Sequence, residues 1–304
     1  MHRSLLFLLG LAVAVVVIAT LMVLAAVHWA LRPANRAAEL IRDFSRPGGV
    51  DAAAIRSLAV PRELATFKQA LTEMMDRVHQ FVERQKQFSA NAAHELRTPL
   101  TSAKSTLQSL AYGVGNREQC ANAIAQAVGD LDRMARLVEQ LQTLASLDEG
   151  DHIPMCRAIP LDRLLTLLVD TYVKTHPGQV TFTATGEAFV HGEETLLTCL
   201  FTNLIDNALK HGPVDGPVTV RLSYVAADVR VAIHDTGGHL PVAVLSRLTE
   251  RFFRADAVRR RSTGGAGLGL AIAREIGDKH GAVLQFDSQP HSGTTVSCVL
   301  PAIN

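Results

Sequence analysis

Between Arg3 and Arg32 the chain carries no formal charge, and residues 5–31 form an almost wholly apolar run. As a helix rising ~1.5 Å per residue it reaches roughly 40 Å, more than the ~30 Å hydrocarbon core of a bilayer. The run predicts one tilted membrane-spanning helix. A cleaved secretory leader has an apolar core of about 7–15 residues followed by a small-residue cleavage site, whereas this run passes straight into Trp29 and Arg32. Only Arg3 precedes it, while Arg32, Arg36, Arg42 and Arg46 follow. The positive-inside bias therefore assigns residues 1–4 to a short extracytoplasmic tail and everything beyond residue 31 to the cytoplasm.

The rest of the chain reads as ordinary water-soluble protein, and its composition excludes several classes. Lys plus Arg number 30 against 29 Asp plus Glu, a formal charge of +1, which leaves no basic excess for binding nucleic acid. Cys120, Cys156, Cys199 and Cys298 are widely separated, which excludes a zinc ribbon or a disulfide scaffold and fits reduced, mostly buried thiols.

Past the run, Ala37, Leu40, Ile41 and Phe44 fall at helical spacing up to the breaker Arg46-Pro47-Gly48-Gly49. After Pro61 a second stripe, Leu64, Phe67, Leu71, Met74, Val78 and Phe81, advances in steps of three and four. The helical pattern then continues to Leu110, with Pro99 expected to kink it. Asn116 and Gln119 have the spacing of a capping box, and Ile124, Val128, Leu131, Ala135, Val138, Leu141 and Ala145 mark the next long helix at coiled-coil spacing. These two helices predict a hairpin whose apolar stripe is too wide for one partner, so a second copy is expected to complete a four-helix bundle. From Pro154 onward, β-like runs at 180–185, 218–225, 229–234, 283–287 and 294–300 alternate with helical stretches near 160–176, 193–211 and 268–280. That alternation predicts an α/β sandwich, helices on one face of a mostly antiparallel sheet. The hinge between the halves is expected at Asp148-Glu149-Gly150-Asp151.

The densest cluster of reactive side chains is Phe88-Ser89-Ala90-Asn91-Ala92-Ala93-His94-Glu95-Leu96-Arg97-Thr98-Pro99-Leu100. A neutral imidazole has one unprotonated nitrogen able to attack phosphorus, and the partner of the other nitrogen fixes the tautomer. Glu95, adjacent in sequence, can accept that second N–H and so stabilise an imidazolium formed at position 94. Thr98 lies one turn from His94 on the same helix face. His-Glu-Leu-Arg-Thr-Pro-Leu resembles the phosphoacceptor box of the bacterial sensor histidine kinases. The resemblance implies that His94 takes up a phosphoryl group, that Glu95 assists it, and that Thr98 positions a water for the reverse, phosphatase reaction.

Further boxes follow in that family's order. In Asn203-Leu204-Ile205-Asp206-Asn207-Ala208-Leu209-Lys210-His211, Asn203 and Asn207 share a helix face, and amide oxygens are reasonable ligands for Mg²⁺. By resemblance Asn207 holds the metal, Asn203 helps position it, Lys210 faces the phosphates and His211 stacks on adenine. Asp235-Thr236-Gly237-Gly238-His239 resembles the family's Asp-x-Gly-x-Gly box, in which the carboxylate of Asp235 reads the adenine amino group and Gly237 permits close approach. His239 stands where the family has its last glycine; if that position needs left-handed dihedrals, the cost is about 1–2 kcal/mol. Arg251-Phe252-Phe253-Arg254 resembles the phenylalanine box. Gly264-Gly265-Ala266-Gly267-Leu268-Gly269 opens a helix whose N-terminal N–H groups and dipole favour phosphate, so Gly265, Gly267, Leu268 and Gly269 are expected to line the nucleotide.

The resemblance implies a membrane-bound, homodimeric sensor histidine kinase of the bacterial cytoplasmic membrane, with ATP and Mg²⁺ as cofactors, a response regulator as partner and no nucleic acid. The expected order is a tail (1–4), a membrane helix (5–31), a HAMP-like linker (32–83), a dimerisation and phosphotransfer hairpin (84–150) and an ATP-binding α/β sandwich (151–304). Two alternatives stay open at this level: a degenerate kinase acting as phosphatase or scaffold, and a gyrase-like ATPase sharing the nucleotide fold.

Overall fold

The computed structural model describes residues 20–22, 65–112, 116–149, 157–254 and 265–303, and the chain divides into two compact units, 1–87 and 88–304. Apart from the helical, exposed residues Thr20, Leu21 and Met22, the expected membrane helix lies outside the described residues, as does the HAMP-like linker before residue 65. Among the described residues no helix is long and apolar enough to cross a membrane.

In the first unit the described chain is the opening part of helix α1 (Ala65–Ala111), where Met75 is buried and Phe67, Met74, Phe81 and Val82 stay exposed.

The second unit begins inside α1, which carries Pro99 within an unbroken helix running to Ala111. Pro99 is buried. On either side of it the hydroxyls of Thr98 and Thr101 donate to the carbonyls of His94 (3.2 Å) and Arg97 (2.8 Å), back-bonding across the turn that proline weakens. Helix α2 (Arg117–Glu149) returns along α1 as expected. Its capping box is formed: the Asn116 N–H donates to Gln119 Oε1, and the Gln119 N–H donates to Asn116 Oδ1, both at 2.9 Å. Leu100, Leu107, Ile124, Val128 and Leu131 each remain about half exposed, so the hairpin does not bury its own stripe.

Beyond the hairpin come β1 (Arg157–Pro160), α3 (Leu161–Thr175), β2 (Val180–Ala184), β3 (Phe189–Gly192), α4 (Glu194–His211), β4 (Val218–Val225), β5 (Asp228–Asp235), the single turn α5 (Val242–Leu245), α6 (Gly269–Lys279), β6 (Val283–Gln289) and β7 (Gly293–Pro301). Five strands form one sheet in the order β2-β4-β5-β7-β6, parallel only between β2 and β4. An antiparallel two-stranded ribbon, β1 with β3, was not expected from the sequence.

Strict alternation sets the core face of the sheet. Val218, Val220 and Leu222 on β4, Val229, Val231 and Ile233 on β5, and Val296, Cys298 and Leu300 on β7 are all buried. Against them α4 lays Leu197, Leu200, Phe201, Leu204, Ile205 and Ala208, a stripe with helical period. Helix α6 packs against α4, burying Ala271, Ile272, Ala273 and Ile276. Leu137, Leu144 and Leu147 of α2 belong to this same buried cluster, and Phe88, Leu96 and Leu141 pack against it. Hairpin and sandwich thus share one core.

Candidate active site

The alternation that builds the sheet also brings a carboxylate into the core. Continuing Val229, Val231, Ile233 by one period of two places Asp235 on the inward face at the end of β5, where it is 5% exposed. Burial raises its pKa above the usual carboxylate range, while the Gly237 N–H and the neighbouring His234 pull it back. Oδ1 of Asp235 accepts the Gly237 N–H at 2.8 Å. Any Cβ on Gly237 would stand 2.6 Å from that oxygen and 2.8 Å from the His211 carbonyl, so this glycine is required by close approach. The left-handed strain considered for His239 does not arise: His239 is exposed, and the non-glycine residues with positive φ among the described residues are Asp215, Ala226, Phe252 and His291.

Directly across the ladder from Asp235 stands Thr294, which is buried. Its hydroxyl lies 3.1 Å from Ser288 Oγ, which accepts the Leu240 N–H at 3.0 Å. The pair of hydroxyls therefore fixes the far end of the Asp235 loop. Gly293, with φ +87°, has no room for a side chain against the backbone of Asp235 and Thr236.

The flank of α4 beside its buried stripe carries the polar residues. Asn203 is turned away from open solvent: its Nδ2 donates to the Cys199 carbonyl at 2.8 Å, and its Oδ1 faces Gly269, where a Cβ would stand 2.8 Å away. It leaves no room for a side chain at the first residue of α6. One turn on, Asn207 is half-buried and its carboxamide makes no side-chain hydrogen bond among the described residues. Lys210 follows, with Nζ filling the space over Gly265. Burial lowers its pKa, the nearby Arg254 and Arg133 lower it further, Asp206 opposes them, and Arg136 adds to the lowering. His211 ends the helix, exposed. Asp206 accepts a hydrogen bond from the Tyr172 hydroxyl of α3, which fastens the outer side of α4.

The glycine stretch is joined to the phenylalanine box. The Phe252 N–H donates to the Gly267 carbonyl at 2.9 Å. Gly267 has φ +72°, and a Cβ there would stand 2.7 Å from the Phe253 carbonyl. Leu268 is wholly buried, anchoring the turn that starts α6. Backbone N–H groups at the head of this helix, with Lys210 beside them, make a surface suited to phosphate.

His94 is exposed on α1. Glu95, its neighbour, is paired across the hairpin with Arg133 of α2, Oε2 to Nη2 at 3.9 Å. Chemically, this unit combines an accessible imidazole beside a carboxylate with a buried carboxylate, a free carboxamide and a lysine arranged around a glycine-rich helix start.

Comparison with known proteins finds matches for both the hairpin and the sandwich. Residues 84–150 match the His Kinase A (phospho-acceptor) domain, and residues 192–304 match the histidine kinase-, DNA gyrase B- and HSP90-like ATPase domain. The chain is 33% identical over 222 residues to the sensor histidine kinase WalK of Bacillus subtilis, covering 71% of this chain and 36% of that protein. It is 33% identical over 232 residues to the phosphate regulon sensor protein PhoR of Pseudomonas aeruginosa, covering 75% of this chain and 52% of that one. The chain thus spans about a third to a half of the length of these relatives. The solved structure of histidine kinase ThkA in complex with response regulator protein TrrA shares the fold, with a TM-score of 0.57 at 18% identity, covering 75% of this chain and 66% of that one. With its phosphoacceptor hairpin and ATPase domain in one chain, the protein belongs to the sensor histidine kinases.

Proposed function

We propose that the chain is a homodimeric, membrane-anchored protein-histidine kinase that passes the γ-phosphoryl group of ATP to His94 and from there to an aspartate of a response regulator. What supports this most is that His94 and the nucleotide-type site lie in one compact unit with a shared core. Asp235 reads the adenine amino group in a tight pocket backed by Gly237, with His211 at its rim. Asn203 stands against the start of α6, and Gly265, Gly267, Leu268 and Gly269 with Lys210 receive the phosphates. The free carboxamide of Asn207 is a hard oxygen donor, which suits Mg²⁺, an ion that retains waters and is shared with substrate phosphates. When bound, Mg²⁺ neutralises phosphate charge.

His94 attacks the γ-phosphorus with its unprotonated ring nitrogen. A nitrogen–phosphorus bond forms as the bond to the β-phosphate oxygen breaks and ADP leaves with the electron pair. Glu95 accepts the proton carried on the other ring nitrogen. Because the transition state of phosphoryl transfer is loose, the protein contributes mainly placement and charge neutralisation. In the reverse reaction Thr98 orients the attacking water.

Residues 5–31 span the membrane, residues 32–83 relay the signal as a HAMP-like module, and the half-exposed stripe of Leu100, Leu107, Ile124, Val128 and Leu131 is covered by the second copy. The response-regulator partner rests on the ThkA–TrrA complex. The test is a chase: chain labelled with [γ-³²P]ATP and freed of nucleotide is mixed with a cognate receiver. Movement of the label to an acid-stable, alkali-labile acyl phosphate on the receiver is expected. Label that stays on the chain, or never enters it, overturns the assignment.

A further inference from the structure

One face of α2 connects the sandwich to the phosphoacceptor helix. Leu137, Leu141, Leu144 and Asp148 follow one another at steps of four, three and four, and the three leucines pack in or against the core shared with α6. Extending the stripe one turn toward the N-terminus gives Arg133, so this side chain leaves α2 at the edge of the seam where hairpin meets ATPase domain. On one side its guanidinium meets Glu95, next to His94, at 3.9 Å, with the two side chains 33% and 27% exposed. On the other side Arg133 acts electrostatically on Lys210, together with Arg254 and Arg136. Lys210 in turn presses its ammonium against Gly265 of the glycine stretch. Arg133, Arg136 and Arg254 thus act together on Lys210, where Asp206 opposes them. Such a cluster calls for a polyanion.

We propose that Arg133 is a further substrate-contacting residue, which exchanges Glu95 for the γ-phosphate and so releases the Glu95 carboxylate to His94 when the phosphoryl group arrives. This rests on the kinase reading above. An arginine suits the exchange because its planar fork pairs equally well with carboxylate and phosphate oxygens. The Glu95 pair is long and about a third exposed, hence weak enough to give up. While Arg133 holds Glu95, the carboxylate is engaged in that pair, and it turns to His94 only in the presence of the triphosphate.

The exchange is a competition, and it is measurable without turnover. In the His94→Gln full chain, which has no acceptor, the affinities for ATP and ADP with Mg²⁺ are measured by displacement of a fluorescent nucleotide. Arg133→Gln lowers the preference for ATP over ADP about three- to tenfold and leaves ADP affinity within about twofold. Glu95→Gln, which frees Arg133, raises that preference by a similar factor. The double variant behaves as Arg133→Gln alone, and Arg133→Lys retains part of the preference. A structural role for the pair predicts instead that both single variants weaken ATP and ADP alike. Unchanged ratios in Arg133→Gln or in Glu95→Gln overturn the proposal. Absence of label on His94 in the wild-type chain, by contrast, overturns the kinase reading, which the binding ratios do not test.

Discussion

Arg251, at the head of the phenylalanine box, clasps Asp148 at the end of α2 with two hydrogen bonds of 3.0 and 2.7 Å, and the same guanidinium reaches Glu275 of α6 at 3.1 Å. It also lies over the Phe88 ring, 5.4 Å from the centroid, and Phe88 meets Phe252 at 5.6 Å. Four elements are tied by one side chain. Asp148→Arg and Arg251→Asp are each expected to loosen the sandwich from the hairpin, and the double exchange to restore much of the loss. A coupling energy of roughly 0.5–1.5 kcal/mol in a thermal-melt double-mutant cycle is expected; strictly additive losses would contradict the clasp.

Leu144 is wholly buried and joins the hairpin to the sandwich. Leu144→Ala is expected to cost about 2–5 kcal/mol, from lost transfer free energy and the cavity left behind. Urea unfolding of the region from residue 88 onward checks this, with hydrogen exchange rising in α2 and α6 together. A loss confined to α2 would mean that the shared core is not one cooperative unit.

Gly267 combines a left-handed backbone with a close carbonyl. Gly267→Ala is therefore expected to strain the Phe252–Gly267 turn and to weaken nucleotide binding tenfold or more, since about 1.4 kcal/mol corresponds to a factor of ten. Isothermal titration with ATP and Mg²⁺ measures it. Gly238→Ala, where open space surrounds the site, is the matched control and should bind within about twofold of wild type.

Asp235 is held above its ordinary pKa by burial. The folded chain therefore binds the proton more tightly than the unfolded one, and stability falls as pH rises from the unfolded value through the raised folded value. Above that window, the full cost of burying the charge is present. Asp235→Asn removes the charge and retains an acceptor for the Gly237 N–H. It is expected to raise Tm at pH 7, with the advantage shrinking as pH falls toward about 4. The same variant should lose roughly 10- to 100-fold in ATP affinity, the worth of a hydrogen bond to a charged acceptor. A Tm difference independent of pH would contradict the burial of a charged carboxylate.

Much of this was legible in the sequence because it is periodic. The runs at 218–225, 229–234 and 294–300 alternate strictly, one face being buried under helices, and they appear as β4, β5 and β7 within one residue at each end. The Asn116–Gln119 cap was legible for a similar reason, since both partners lie in one turn. What sequence reading missed depends on distance along the chain. The β1–β3 ribbon pairs four-residue segments about 30 residues apart, too short to show a period. Thr294 acquires its place opposite Asp235 only through register across the sheet. Arg133 reads as a solvated helix residue until the hairpin closes on Glu95. The strain considered at His239 was absent because the Asp235 loop turns without left-handed residues there.

The most direct test follows phosphorus. Incubated with [γ-³²P]ATP and Mg²⁺, the wild-type chain should take up alkali-stable, acid-labile label mapping to the peptide that contains residue 94. His94→Gln should bind ATP with unchanged affinity and take up none. Equal incorporation by both proteins would contradict the account.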